Sequence, residues 1–389
     1  MCRVTQQQWS GPPQWGTEGQ APASGQSPFG QPAFGQLNMA QPGFAQPRGG
    51  AYGRSPYGSG RQFGQPNFGS PQGQPAGYPA GQFSPPLRGN PLKLLLLAMI
   101  GVALVAIVGL IGVSLLTPTS EVAYQNDDYQ VPPADTTPPP IPIPSSEAEA
   151  AAFLTKNPIY SQATPIPVRC VSQPINVGTA SNAQLKSHFE GLMECLVRVW
   201  QPAVEKAGFQ IVRPTVTIYG REITTRCGKS GVNAFYCSGD QQLYYSNLLD
   251  DAIPIVAKEK WAADVVMAHE FGHELQGRTG VLVSAHELAR RETSKAAGLA
   301  YLRRLETQAD CYSGIFVRAV STSLGVQQTD LNGIVETYEA VGDDVASGNP
   351  DIVGNHGLAR SRKYWGTVGL GTSDVGKCNT FVASANLIR

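Results

Sequence analysis

The sequence predicts an α+β domain, mainly helical with a small antiparallel sheet, behind a disordered tail and one transmembrane helix. Three observations carry this prediction. Composition shifts sharply along the chain, one uncharged apolar run interrupts it, and beyond that run helix-period stripes surround two short β-type runs.

Residues 1–91 are dominated by Gly, Gln, Pro, Ser and Phe, with SPFGQP, PAFGQ, PGFAQP and RQFGQP recurring irregularly. So few aliphatic side chains cannot offset the entropy of ordering, and a disordered tail is expected. Its five arginines against Glu18 make it mildly basic, and its spaced aromatics make it a candidate for recruiting a cytoplasmic partner. Residues 92–116 are read as a transmembrane helix. Leu94 to Leu116 is 23 residues without a charge, enough at about 1.5 Å per residue to cross a hydrocarbon core of about 30 Å. The run is too long and too far from the start for a cleaved signal. Arg88 and Lys93 precede it and Glu121, Asp127 and Asp128 follow, so the tail is expected in the cytoplasm and the C-terminal part outside.

Cysteine usage agrees with that orientation. Cys2 lies in the tail, whereas Cys170, Cys195, Cys227, Cys237, Cys311 and Cys378 all follow the span, where disulfides persist. Among fifteen pairings, the preferred set is Cys227 with Cys237, Cys311 with Cys378 and Cys170 with Cys195. Charge divides too. The 29 basic and 29 acidic residues balance overall, but Lys93 and the five tail arginines lie before the outer part, leaving it 23 against 28. A domain of that sign is not a nucleic-acid binder.

Residues 117–167 read as a Pro-rich linker: QVPPADTTPPPIPIPSS favours extended polyproline backbone and a tether, and SSEAEAAAFL one or two helical turns. Residues 168–389 form the expected globular domain. Leu185, Phe189, Leu192, Leu196, Val199 and Val204 make a helical stripe over Ala183 to Ala207, capped by Ser181 or Asn182. Val212 to Tyr219 alternates as a strand, and Ala234 to Tyr245 reads as a hairpin with a Ser-Gly-Asp turn. Helix is expected from Ala252 to Gln276, stopped by Gly277 and Gly280, then over Ala285 to Arg291 and Gly298 to Leu324. VGDDVASGNPD leads into a last helix near Leu358 to Gly366.

The chemistry concentrates in VVMAHEFGHELQ, Val265 to Gln276. On a helix, positions i and i+4 share a face, so His269 and His273 offer ring nitrogens to one metal ion with Glu270 beside it. Zn²⁺ suits imidazole ligands and keeps a position open for water, whose pKa it lowers; Glu270 is the candidate general base. The plain alternative is an ordinary amphipathic helix carrying two histidines. Gly272 costs about 1 kcal/mol in a helix interior and suggests close approach of another element. A third ligand is required. H-E-x-x-H-x-x-G-x-x-H fails at Gln276 and Thr279, whereas LETQADCYSG supplies Glu306 as ligand and, four residues on, Asp310 to accept a ring N–H from a liganding histidine such as His269. His286 is a weaker rival ligand, expected to cap or decorate a surface helix, and His188 is expected to be structural. For the oxyanion, His356, Tyr312 and Tyr364 are candidate donors, with His356 preferred. Ala234 to Cys237 is a candidate edge strand for an extended peptide.

HEFGHELQG, RLETQADCYSGIF, NAFYCSGDQQLYY and NHGLARSRKYW followed by CNTF together resemble the putative neutral zinc metallopeptidase family of bacteria over about Cys227 to Phe381. Members often carry one N-terminal transmembrane helix. The resemblance implies a zincin-like fold of the Glu-ligand type, with zinc on His269, His273 and Glu306 and Glu270 catalytic in hydrolysis of a peptide or protein substrate. Asn233, Ala234 and Ser238 around FYC, and HGLARS after Asn355, depart from the usual pattern and bear on substrate preference. The rival reading is a catalytically silent, membrane-anchored scaffold. An intramembrane protease is excluded, because Lys258, Glu259, Lys260 and Asp264 are too polar for lipid.

Overall fold

A computed structural model of the chain describes residues 122–389. The expected tail and the apolar run at 94–116 lie outside those residues. Among the described residues no helix is long and apolar enough to cross a membrane.

Helix α1 (Glu147–Thr155) starts at Ser146, whose hydroxyl accepts from the Glu149 N–H. Helix α2 (Asn182–Lys206) has a complete capping box, Ser181 and Gln184 each satisfying the other's backbone N–H. Its six stripe residues are all buried, with Phe189 and Leu192 at 0% exposure. Five strands follow: β1 (Val216–Tyr219), β2 (Ile223–Thr225), β3 (Gly228–Ser230), β4 (Ala234–Cys237) and β5 (Gln242–Ser246). β1, β5 and β4 form one sheet in that order, and β2 with β3 a separate antiparallel pair. β1 starts late because Pro214 has no N–H to give a ladder.

The expected antiparallel sheet is corrected here. β4 and β5 pair antiparallel as a hairpin, but β1 pairs parallel with β5. The chain leaves β1, makes the β2–β3 and β4 excursion, and returns to lie alongside it; a parallel neighbour needs such a crossover.

The helix expected over Ala252 to Gln276 is also corrected. It is three pieces, α3 (Leu249–Ala252), α4 (Ile255–Lys258) and α5 (Ala262–Arg278). Pro254 cannot donate into a continuous helix, and Glu259 is extended at the second break. α5 then runs through Gly277. Gly280, at φ 76°, makes the left-handed turn into α6 (Val281–Arg291). α7 (Lys295–Leu324) is capped by Ser294. An unexpected helix, α8 (Asp330–Ala340), buries Ile334 and Tyr338; α9 (Asp343–Ser347) and α10 (Ala359–Leu370) complete the set.

The proline-rich stretch expected as a tether is, over its described part, docked on the domain. Polyproline backbone makes no internal hydrogen bonds, so its carbonyls stay free to accept. Asp135 O accepts from Gln242 Nε2 (2.9 Å), and Pro139 O from Arg278 Nη1 (2.7 Å) and Gln241 Nε2 (3.0 Å). Tyr124 to Arg389 is one compact unit, so it begins well before Val168. All three preferred disulfides form, Cys170–Cys195, Cys227–Cys237 and Cys311–Cys378. The last ties α7 to the C-terminal segment.

Candidate metal centre

α5 and α7 cross at the centre, and small residues let them meet. A Cβ on Gly272 would lie 3.0 Å from Ala309 Cα and 3.2 Å from its carbonyl oxygen. A larger residue would push the helices apart, which is the reason for glycine in this helix.

Across that contact, His269, His273 and Glu306 bring ligand atoms within 4.8 Å of one another. His269 Nε2 is 3.3 Å from Glu306 Oε2, and His273 Nε2 is 3.6 Å from Glu306 Oε1. Tetrahedral bonds of about 2.0–2.1 Å set ligands roughly 3.3–3.4 Å apart, a spacing that the two histidine–Glu306 separations approach. The imidazole rings stand nearly perpendicular, at 89°.

Both histidine ligands are held from behind. His269 Nδ1–H donates to Asp310 Oδ1 (2.8 Å), the partner expected from sequence. Asp310, at 0% exposure, also accepts from Arg362 Nε (2.8 Å, Oδ2) and Nη2 (2.8 Å, Oδ1). Arg362 is in turn fixed by Val341 O (2.9 Å). His273 Nδ1–H donates to Gln276 Oε1 (2.8 Å), whose amide donates to Leu305 O (2.8 Å) and Gln308 Oε1 (3.1 Å). Both histidines therefore turn Nε2 toward the shared position.

Charge is arranged for a cation. Burial opposes ionisation of Glu306, but His273, His356 and His269 hold its carboxyl well below the usual range. Burial likewise opposes charge on Asp310, and Arg362 with His269 outweighs it. His269 is pushed up to about 10: burial works against the charged ring, while Asp310 and Glu306 favour it more strongly. Positive charge is thus what the carboxylates reward here.

Glu270 is buried beside the centre, and its Oε2 accepts from the Tyr236 backbone N–H (3.1 Å) on β4. Burial raises its pKa against the pull of His269 and His273, the direction a general base working near neutrality requires. His356 sits in the loop before α10. Its Nδ1–H donates to Asp343 Oδ1 (2.9 Å), and its partly exposed ring senses Glu306.

The other candidates separate clearly. Tyr312 is core, 2% exposed and packed on Trp200, whereas Tyr364 is 44% exposed against Trp365. His286 is not among the three grouped ligands and is half-buried on α6. Burial, then His273, push it down to about 4. His188 is structural as expected, its Nε2 2.6 Å from Asp264 Oδ1.

Four contributors escaped the sequence reading: Arg362, Asp343, Gln276 and the Tyr236 N–H. Only Gln276, three residues after His273 on the same helix, carried a local signal.

The family model for the putative neutral zinc metallopeptidases matches residues 161–381, further upstream than the motif blocks reach. An uncharacterized protein of Mycobacterium tuberculosis is 32% identical over 210 residues, 48% of this chain and 67% of its own length. The uncharacterized protein YpfJ of Escherichia coli is 29% identical over 197 residues, 47% of this chain and 66% of its own. No solved structure matches.

Proposed function

The chain belongs to the putative neutral zinc metallopeptidase family, and from the geometry of its centre we propose that it hydrolyses peptide bonds, with His269, His273 and Glu306 holding zinc. The observation that carries this reading is the three-ligand frame with both histidines oriented from behind and Glu270 beside them. Bound there, zinc supplies Lewis acidity toward water and the scissile carbonyl.

The chain's own residues do the rest. Glu270 takes the proton of the attacking water and delivers it to the leaving amine. His356, oriented by Asp343, offers a hydrogen bond to the oxyanion. β4 is an outer strand of its sheet, and its Tyr236 N–H points at Glu270. An extended peptide lying along β4 would therefore run past the base. The reading includes a zincin-like architecture of the Glu-ligand type. It also makes residues 94–116 a membrane anchor with the domain outside, supported by the flanking charges and by three disulfides of a kind that persist in oxidising compartments.

The test is Glu270→Gln in the zinc-loaded protein, assayed on a peptide library. The variant should keep its metal and lose on the order of 10²–10⁴ in turnover. Cleavage at the parent's rate would remove Glu270 from the mechanism.

A further inference from the structure

A cavity of about 250 Å³ opens between α7, the loop that carries His356 and residues 385–389. Resting on the peptidase reading above, we propose that this cavity is a substrate subsite for a carboxylate, with Arg303 as its anchor.

Position is the first argument. Arg303 Nη1 donates to Gly354 O (3.0 Å), and a Cβ on Gly357 would lie 3.7 Å from Thr307 Cγ2. The loop thus crosses α7 over the turn that carries Glu306. Arg303 is three residues before Glu306, so it lies on the same side of the helix, roughly 5 Å along its axis. On this proposal a peptide held at the metal position turns its next side chain or its end into the cavity.

The donors are the second argument. Arg303 Nε is buried with no hydrogen-bond partner, and among the described residues the guanidinium makes no ion pair. A buried N–H without an acceptor is costly, and a planar guanidinium matches a carboxylate's two oxygens. Asp343 lines the cavity too but is committed elsewhere. Its Oδ1 accepts from the His356 ring, and its Oδ2 from the backbone N–H groups of His356 and Gly357, each at 2.9 Å. Arg304 and Arg389 also line the cavity, Arg304 already donating to Thr380 O and Ala383 O.

Size and lining are the third. Ile352, Leu358 and Ile388 supply apolar wall, and Val353, 56% exposed, stands at the rim. The volume falls below the roughly 300 Å³ at which sites for whole small molecules begin. It suits one acidic side chain or one peptide terminus.

The experiment uses the full-length, zinc-loaded protein and matched peptides in two arms, Glu against Gln at each position near the cut, and free C-terminal acid against amide. Equilibrium binding is read by fluorescence anisotropy on the Glu270→Gln variant, and kcat/KM on the parent. One carboxylate position should improve both by on the order of tenfold, the scale of a charge-assisted hydrogen bond. The arm that responds identifies side chain or terminus. Arg303→Gln should bring the ratio to about one, and Arg303→Lys should keep part of it.

The subsite is overturned if the parent shows no carboxylate preference in binding, or if the preference survives Arg303→Gln. The parent's own preference does not depend on any variant folding. Failure of the peptidase reading looks different: peptides would bind with an Arg303-dependent preference and remain uncut.

Discussion

Asp310→Asn tests the support beneath the metal position. The native carboxylate is fully buried and accepts three hydrogen bonds of 2.8 Å, one from His269 and two from Arg362. An asparagine of the same shape has one acceptor oxygen, and its NH₂ must face Arg362 Nε in one orientation or both His269 Nδ1 and Arg362 Nη2 in the other. Arg362, 5% exposed, then keeps its charge without a counter-charge. Breaking a buried pair this way costs about 3–5 kcal/mol of stability. Loss of the carboxylate behind His269 should weaken zinc binding about 10–100-fold, or about 1.4–2.8 kcal/mol. Competition with a chromophoric chelator at fixed pH reads the affinity, and the urea midpoint reads stability. The double variant Asp310→Leu with Arg362→Met separates the two effects: apolar replacement should recover much of the stability and none of the affinity. Unchanged zinc affinity in Asp310→Asn, or restored affinity in the double variant, would refute a direct role for Asp310 on His269.

Two further predictions concern packing and pH. Gly272→Ala should lower stability by about 1 kcal/mol, because overpacking against Ala309 backbone at 3.0–3.2 Å outweighs the helix propensity gained; a rise in urea midpoint would contradict the close helix contact. Burial holds the hydroxyls of Tyr160, Tyr245, Tyr312 and Tyr338 above the ordinary tyrosine range. The folded state thus keeps protons that the unfolded state releases from about pH 10 upward. Their contribution to stability is intact below that pH and is lost as pH rises beyond it. Absorbance at 295 nm should show these tyrosines ionising together with unfolding; ionisation near 10 in a chain that keeps its circular dichroism would show them to be accessible.

What the sequence made legible is what short-range periodicity encodes. His269 with His273 and Glu306 with Asp310 are both four-residue spacings on helices, and the structure places each pair on one face. Gly272 betrayed a close approach because glycine inside a helix needs a reason. The features that were not legible depend on distant segments. Arg362 reaches Asp310 across 52 residues, and Asp343 reaches the loop residue His356 from α9. The parallel pairing of β1 with β5 is set by a crossover rather than a turn. The docking of residues around Pro139 depends on Arg278 and Gln241 far along the chain.

The central claim is that His269, His273 and Glu306 hold one zinc ion. It is tested most directly by zinc content, measured by inductively coupled plasma mass spectrometry after gel filtration, in the parent and in Glu306→Ala. One zinc per chain is expected in the parent and substantially less in the variant at matched folding. Equal zinc in both, or none in the parent, would contradict it.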